Sequence, residues 1–379
     1  MQIQQLHYLS GQWNVKSGDA QPRAGHFQLV LVFGASSCIS DSGFLAQLRQ
    51  RFPEAQIVLC STSGEIIGEG VFDDSAVVTA IRFDHTSIRP VMTNIRQHGS
   101  SYEAGCHLMQ QLQTGDPGTI FILSDGTYVN GSELVAGLNE GNKNNIPVTG
   151  GLAGDATRFR QTMVGLNGKP EEGNIVAIGF YGSRLRLGHG SFGGWDEFGH
   201  ERAITRSNKN ILYELDGRNA LDLYKEYLGP YVDELPGSAL LFPLSLHIND
   251  SGQNLVRTIL SIDEKEKSMT FAGNLPEGSK VRLMKANFDK LIDGSAIAAK
   301  HTFEPLQKQP GLAILISCVG RRMILQHRAD EEVQAAKDIF GADTVISGFY
   351  SYGEISPLMP ASRCELHNQT MTITTFSES

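Results

Sequence analysis

The densest group of side chains able to do chemistry lies between Arg184 and Arg202, which holds His189 and His200, the rings of Phe192, Trp195 and Phe198, and the guanidinium groups of Arg184, Arg186 and Arg202. A neutral imidazole can ligate a metal, guanidinium groups match carboxylates in a planar fork, and aromatic rings can cover a flat ligand. His189 stands between Gly188 and Gly190, so a flat group could approach the backbone there. Against this stands the commoner role of a single histidine in a loop, a structural hydrogen bond. His200, beside Glu201 and Arg202, reads as a solvated position, and His247 in Leu244–Ile248 reads as a strand-edge residue facing a pocket. The spacing Gly188-x-Gly190-x-x-Gly193 matches a dinucleotide fingerprint formally, yet it runs into Gly194-Trp195-Asp196 with no helix to aim amides at a pyrophosphate.

A second group of candidates comes from an internal repeat. Gln56–Ile66 contains Ser61-Thr62-Ser63-Gly64-Glu65, and Thr344–Ile355 contains Ser351-Tyr352-Gly353-Glu354. Between them Ile146–Asp155 ends in Gly151-Leu152-Ala153-Gly154-Asp155. Each copy follows an apolar run (Leu29–Gly34, Thr119–Leu123, Leu312–Ile316) and a segment with helical spacing of apolar residues, and each leads to another apolar run (Val77–Ile81, Ile175–Phe180, Met371–Phe376). Three strand-helix-strand units on mixed sheets covered by helices are therefore predicted, an α/β (α+β) fold. The ordinary role of the Gly-acid turns is structural, with glycine supplying the turn and the carboxylate capping an amide.

At 379 residues the chain can fill two domains, and 40% hydrophobic with 19% charged residues is globular composition. A formal charge of -9 gives no electrostatic reason to expect nucleic acid or an anionic membrane as partner. No signal pattern or bilayer-length apolar run is present, so a cytoplasmic protein is expected. Its five cysteines lack any C-x-x-C spacing and read as reduced thiols. There is no P-loop, no H-E-x-x-H and no G-x-S-x-G, so no enzyme class is selected.

Along the chain, residues 1–25 read as a polar lead-in and Ala104, Leu108 and Leu112 as a helix capped near Ser100. Residues 184–202 read as a loop, followed by a strand at Asn210–Leu215 and a tight turn at Asp216-Gly217. Strands are predicted at Ala239–Phe242, Leu255–Leu260, Ser268–Phe271 and Lys280–Met284, then a helix carrying Phe288, Leu291 and Ala299.

Three stretches, Asn210–Gly217, Gly348–Ile355 and Leu366–Thr372, resemble the FIST family over nearly the entire chain. The resemblance implies a sensory signalling protein with an N-type domain over 26–216 and a C-type domain over 217–379. Gly188–Asp196 and Asp222–Lys225 are similar to a haem-containing subgroup, the NosP nitric oxide sensors. That narrower likeness implies non-covalent haem b, nitric oxide as ligand, and a histidine kinase or a diguanylate cyclase or phosphodiesterase of cyclic-di-GMP signalling as partner. A homo-oligomer is compatible with both. Haem iron needs an imidazole or thiolate, apolar cover, and cations for its propionates. His189 is then the expected axial ligand, with His200 and His247 as alternatives. Gly190, Phe192, Trp195 and Phe198 would lie over the porphyrin, and Arg186 and Arg202 beside the propionates. The alternative is a haem-free module binding a small metabolite such as an amino acid, its cleft lined by Gly151, Asp155, Tyr352, Gly353 and Glu354; a hydrolase-like enzyme on the same fold is a third.

Overall fold

A computed structural model describes residues 1–18, 27–235, 237–248, 253–303, 309–357 and 362–378. The chain opens with a hairpin, β1 (Gln2–Leu9) and β2 (Gln12–Ser17). The first unit is β3 (Leu29–Gly34), α1 (Ser42–Arg51), β4 (Gln56–Ser61), the short β5 (Glu65–Ile67) and β6 (Ser75–Arg82). After β7 (Ser87–Asn94) and α2 (Ser101–Leu112), the second unit is β8 (Thr119–Ser124), α3 (Gly131–Gly141), β9 (Val148–Leu152), β10 (Val164–Leu166) and β11 (Asn174–Tyr181). The intervening region holds β12 (Leu185–Phe192), β13 (Asp196–Asn208), β14 (Ile211–Leu215), α4 (Ala220–Leu228), β15 (Leu244–Ile248), β16 (Gln253–Arg257), β17 (Ile259–Asp263), β18 (Ser268–Phe271), β19 (Lys280–Lys285) and α5 (Phe288–Phe303). The third unit is β20 (Leu312–Cys318), α6 (Val319–Leu325), α7 (Ala329–Phe340), β21 (Val345–Ser351), β22 (Gly353–Pro357), β23 (Cys364–His367) and β24 (Met371–Glu378).

The three units share one plan. In each, the first two strands pair in parallel (β3 with β4, β8 with β9, β20 with β21) and the last strand lies antiparallel to the first. The mixed α/β architecture expected of the sequence is thus present, and the apolar runs are buried on both faces, as covered sheets require. Side-chain caps start the first three of these helices: Asp41 Oδ1 accepts from the Phe44 amide at 2.7 Å, Ser100 Oγ from Glu103 at 3.2 Å, and Asn130 Oδ1 from Glu133 at 3.0 Å.

What joins the units is a cyclic exchange of short strands. The arm that follows the Gly-acid turn leaves its own sheet and closes the edge of another. β5 of the first unit pairs with β21 of the third, β10 of the second with β4 of the first, and β22 of the third with β9 of the second. Each arm covers a strand edge that would otherwise present unpaired amides and carbonyls. The register sets Glu65 opposite Phe349 and Glu354 opposite Gly151.

A fourth, antiparallel sheet has the order β16-β15-β19-β13-β14-β18-β17. The expected boundary at 216–217 falls at the turn after β14, within this sheet.

Several expectations are corrected. Residues 1–18 are not a lead-in: β1 joins the first sheet beside β6, and the Gln5 side chain donates to the Ile346 carbonyl at 2.8 Å, so a glutamine-rich strand is buried. Residues 19–25 of that lead-in lie outside the described residues. The 184–202 loop is mostly strand, β12 running against β24 and β13 against β14 and β19. Residues 237–241 form a 3-10 turn, not a strand. The run Leu255–Leu260 breaks at Thr258, where β16 ends and β17 begins.

Candidate functional site

A cavity of about 460 Å³ opens where the second unit, the third unit and the fourth sheet meet. The second unit contributes the Gly126–Gly131 turn entering α3, Leu152, Phe159 and Arg160. The third contributes Cys318–Gly320, Tyr352 and Asn368, and the fourth sheet contributes Thr258, Leu260 and Phe271–Gly273.

The side chains around it are pinned from behind. Asp125, fully buried, accepts from the amides of Thr127 at 2.8 Å and Tyr128 at 2.5 Å and from Thr162 Oγ1 at 2.8 Å, which fixes the turn into α3. Arg257 donates to the carbonyls of Asn274, Val256 and Leu366 at 3.0–3.2 Å, tying the fourth sheet to the turn that carries Asn368; burial pushes its guanidinium down to about 10. The first turn of α6 is held by Arg321, which pairs with Glu332 at 2.8 Å, both fully buried, while Tyr350 and Ser317 donate to the same carboxylate.

Against this satisfied frame, a few groups are left over. Asn368 is fully buried and lines the cavity, and neither its Oδ1 nor its Nδ2 has a hydrogen-bond partner. Thr258 Oγ1, also on the cavity wall, is likewise unpartnered, and so are both polar atoms of Gln369, buried next to Asn368. A buried polar group without a partner costs about 1–3 kcal/mol, and natural folds retain few of them. Of such atoms, the two of Asn368 and Thr258 Oγ1 lie on the wall of this one cavity, where the polar atoms of a ligand could meet them. The rest of the wall is largely apolar, and among the described lining residues Arg160 carries the formal charge, with no Asp or Glu beside it.

The residues expected to hold haem are placed elsewhere and apart. His189 sits in the middle of β12, opposite Thr374. Its flanking glycines serve a different close approach. A Cβ on Gly188 would lie 2.1 Å from the Thr302 carbonyl oxygen and one on Gly190 2.1 Å from that of Ala298, so α5 rests directly on the strand. Phe192 meets His301 edge-on, Phe198 packs with Phe242 in the fourth sheet's core, and Arg186 is exposed. Arg202 is engaged by Asp216 and Tyr227. His200 is exposed, and His247 pairs with Glu201 at 2.8 Å and Glu197 at 3.4 Å from an inner strand. α5 therefore closes the approach that the two glycines would have opened to a flat group, while His189, between them in the strand, points to the other face of the sheet. Trp195 alone of the expected haem residues bears on the cavity, through its indole N–H to the Gln369 carbonyl at 2.9 Å, one residue from Asn368.

Of the residues expected to line a metabolite cleft, Tyr352 does line the cavity. Gly151 and Gly353 lie behind it in the β9–β22 ladder, with Glu354. Glu354 accepts from Ser351 Oγ at 2.7 Å and from the amide and hydroxyl of Thr370, and burial pushes it up to about 8. Glu65 has the same surroundings in the first unit, accepting from Thr62 and from both donors of Ser75, and burial pushes it up to about 7. Asp155 holds Arg158 and the Gln161 amide. Asn368, Thr258, Phe159 and Arg160 were not singled out by the sequence, although Asn368 lies within Leu366–Thr372.

The architecture defines an α/β protein of exchanged repeat units with a ligand-sized cavity at their junction. Residues 28–218 match the FIST N domain and residues 220–357 the FIST C domain, and the chain belongs to the FIST family. FIST domains are sensory domains of signalling proteins, which points to a non-catalytic module. A protein of Methanocaldococcus jannaschii described as uncharacterised is 22% identical over 311 residues, which are 73% of this chain and 57% of that protein. The chain thus spans a little over half the length of this relative. No described helix is long and apolar enough to cross a membrane, and the described residues hold no cluster of three or more His, Cys, Asp or Glu placed for a metal ion.

Proposed function

We propose that this chain is a sensory module that binds a small metabolite, without haem, in the cavity floored by Asn368. It passes occupancy to a signalling partner such as a histidine kinase or a cyclic-di-GMP enzyme. The observation that carries this reading is the buried, unpartnered carboxamide of Asn368 on a largely apolar wall. The cavity joins elements from both halves of the chain, so a ligand touching all of them favours the arrangement in which they meet. A bound state is stabilised in proportion to ligand excess over its dissociation constant. The experiment is a thermal-shift screen of small metabolites on the wild type and on Asn368→Leu. Stabilisation in the wild type that the variant lacks is expected; equal stabilisation of both would place binding elsewhere.

The narrower reading, a haem b sensor of nitric oxide with His189 as ligand, concerns another part of the fold. Haem-fed protein that is folded and shows no Soret band would remove it, whereas a band lost in His189→Ala would favour it over the metabolite reading.

A further inference from the structure

The chemistry of the cavity wall narrows the ligand. Resting on the metabolite reading above, we propose that the occupant is an apolar-bodied monocarboxylate bearing a neutral hydrogen-bond donor next to the acid, of the 2-hydroxy acid type, and that an ammonium group is selected against.

Three observations carry this. First, the lining has a cation, Arg160, and among the described lining residues no carboxylate. An ammonium group entering this space would lose hydration with no carboxylate on the lining to replace it, the Asp125 carboxylate behind the wall being taken up by the Thr127 and Tyr128 amides and Thr162, and would also face the guanidinium of Arg160. A carboxylate meets the opposite situation, since guanidinium and carboxamide N–H groups both donate to it. Second, Asn368 is left with an acceptor as well as a donor, its Oδ1 and Nδ2 both unpartnered. The carboxylate satisfies Nδ2, but Oδ1 needs a donor from the ligand, which a hydroxyl supplies without charge. Thr258 Oγ1, unpartnered on the opposite element, can donate or accept and completes the polar set. Third, the body of the ligand is met by Leu152, Leu260, Phe271 and the ring of Tyr352, whose hydroxyl is already occupied by the Ala156 carbonyl and the Phe159 amide. That ring therefore offers an apolar face.

The test is calorimetric titration of the full chain with four probes sharing one phenyl body: 3-phenyllactate, phenylalanine, phenethylamine and 3-phenylpropanamide. Phenyllactate is expected to bind at least roughly tenfold more tightly than phenylalanine. Phenethylamine is expected to give no heat of binding. Arg160, being exposed, can be replaced without disturbing the core, and Arg160→Gln should weaken phenyllactate by roughly tenfold while leaving the amide unchanged. Phenylalanine or phenethylamine binding as tightly as phenyllactate would overturn the proposal, as would an Arg160→Gln variant that binds the acid undiminished. If the amine or the amide binds in an Asn368-dependent way and the acid does not, the ligand class is wrong and the metabolite site stands. If no probe binds and the metabolite screen also leaves the wild type unshifted, both are wrong.

Discussion

The ring of Phe159 lies on that of Tyr352, with centroids 4.6 Å apart and planes inclined by 17°, and the Phe159 amide donates to the Tyr352 hydroxyl at 3.1 Å. A loop of the second unit is thereby fastened to the Gly-acid turn of the third, at the edge of the cavity. Phe159 takes a positive φ of 51° and is 44% exposed, so the contact with Tyr352 holds it where solvent otherwise would not. Tyr352→Phe keeps the ring and removes the hydroxyl that also donates to the Ala156 carbonyl. It should cost about 1 kcal/mol in stability and weaken ligand binding more than that loss explains. Denaturant unfolding beside a binding titration measures both; binding untouched by the change would show that this loop does not shape the site.

Asn368→Leu separates function from stability. Replacing an unpartnered buried carboxamide by an apolar side chain of similar size removes a desolvated polar group, so the unliganded protein should be as stable as the wild type or more so, by up to about 2 kcal/mol. The same change should abolish ligand-dependent stabilisation. A strongly destabilised variant would mean that Asn368 has a structural role instead.

The twin glutamates of the Gly-acid turns give a pH signature. Burial holds Glu65 up at about 7 and Glu354 at about 8, against an unfolded value of about 4.3. Between those values the folded state binds more protons than the unfolded chain, so their contribution is complete below about pH 4 and lost as pH rises through 7 and 8. His367 acts with the opposite sign, since burial depresses it to about 4 and its contribution is lost as pH falls from about 6.5. From about pH 6.5 to 8.5 the glutamates therefore dominate, and the melting temperature should fall. A Glu65→Gln, Glu354→Gln double variant should flatten that slope; an unchanged slope would assign it to other groups.

The Arg321–Glu332 pair anchors the α6 turn beneath the cavity. Arg321→Met leaves the Glu332 carboxylate buried without its cation and should cost about 3–5 kcal/mol, read from the denaturation midpoint. Replacing both residues by apolar ones should recover much of that loss, because the pair's attraction offsets the desolvation of two charges.

The repeat units were legible because their strands are apolar runs buried on both faces and their helices carry apolar residues at helical spacing. The exchange between units was not. Arms such as Glu65–Ile67 and Val164–Leu166 are too short for any periodicity, and their partners lie some hundred residues or more away. Glycines misled most at β12, where Gly188 and Gly190 permit close approach as expected, but to the backbone of α5 and not to a flat cofactor. Asn368 carried no sign of its role, since a polar residue after a strand reads as a turn former and only its burial shows that it lacks a partner. Thr258 was concealed inside an apolar run that the fold divides at that residue. Tyr352 was found because the repeat itself drew attention to its turn.

The most direct measurement is the side-chain amide resonance of Asn368, identified in asparagine-labelled protein by its disappearance in Asn368→Leu, followed while the tightest-binding phenyl probe is added. The account predicts that this pair of N–H signals moves and sharpens in step with saturation, because the carboxamide acquires the partners it lacks. Signals that stay fixed through saturation, while resonances around His189 move, would contradict it.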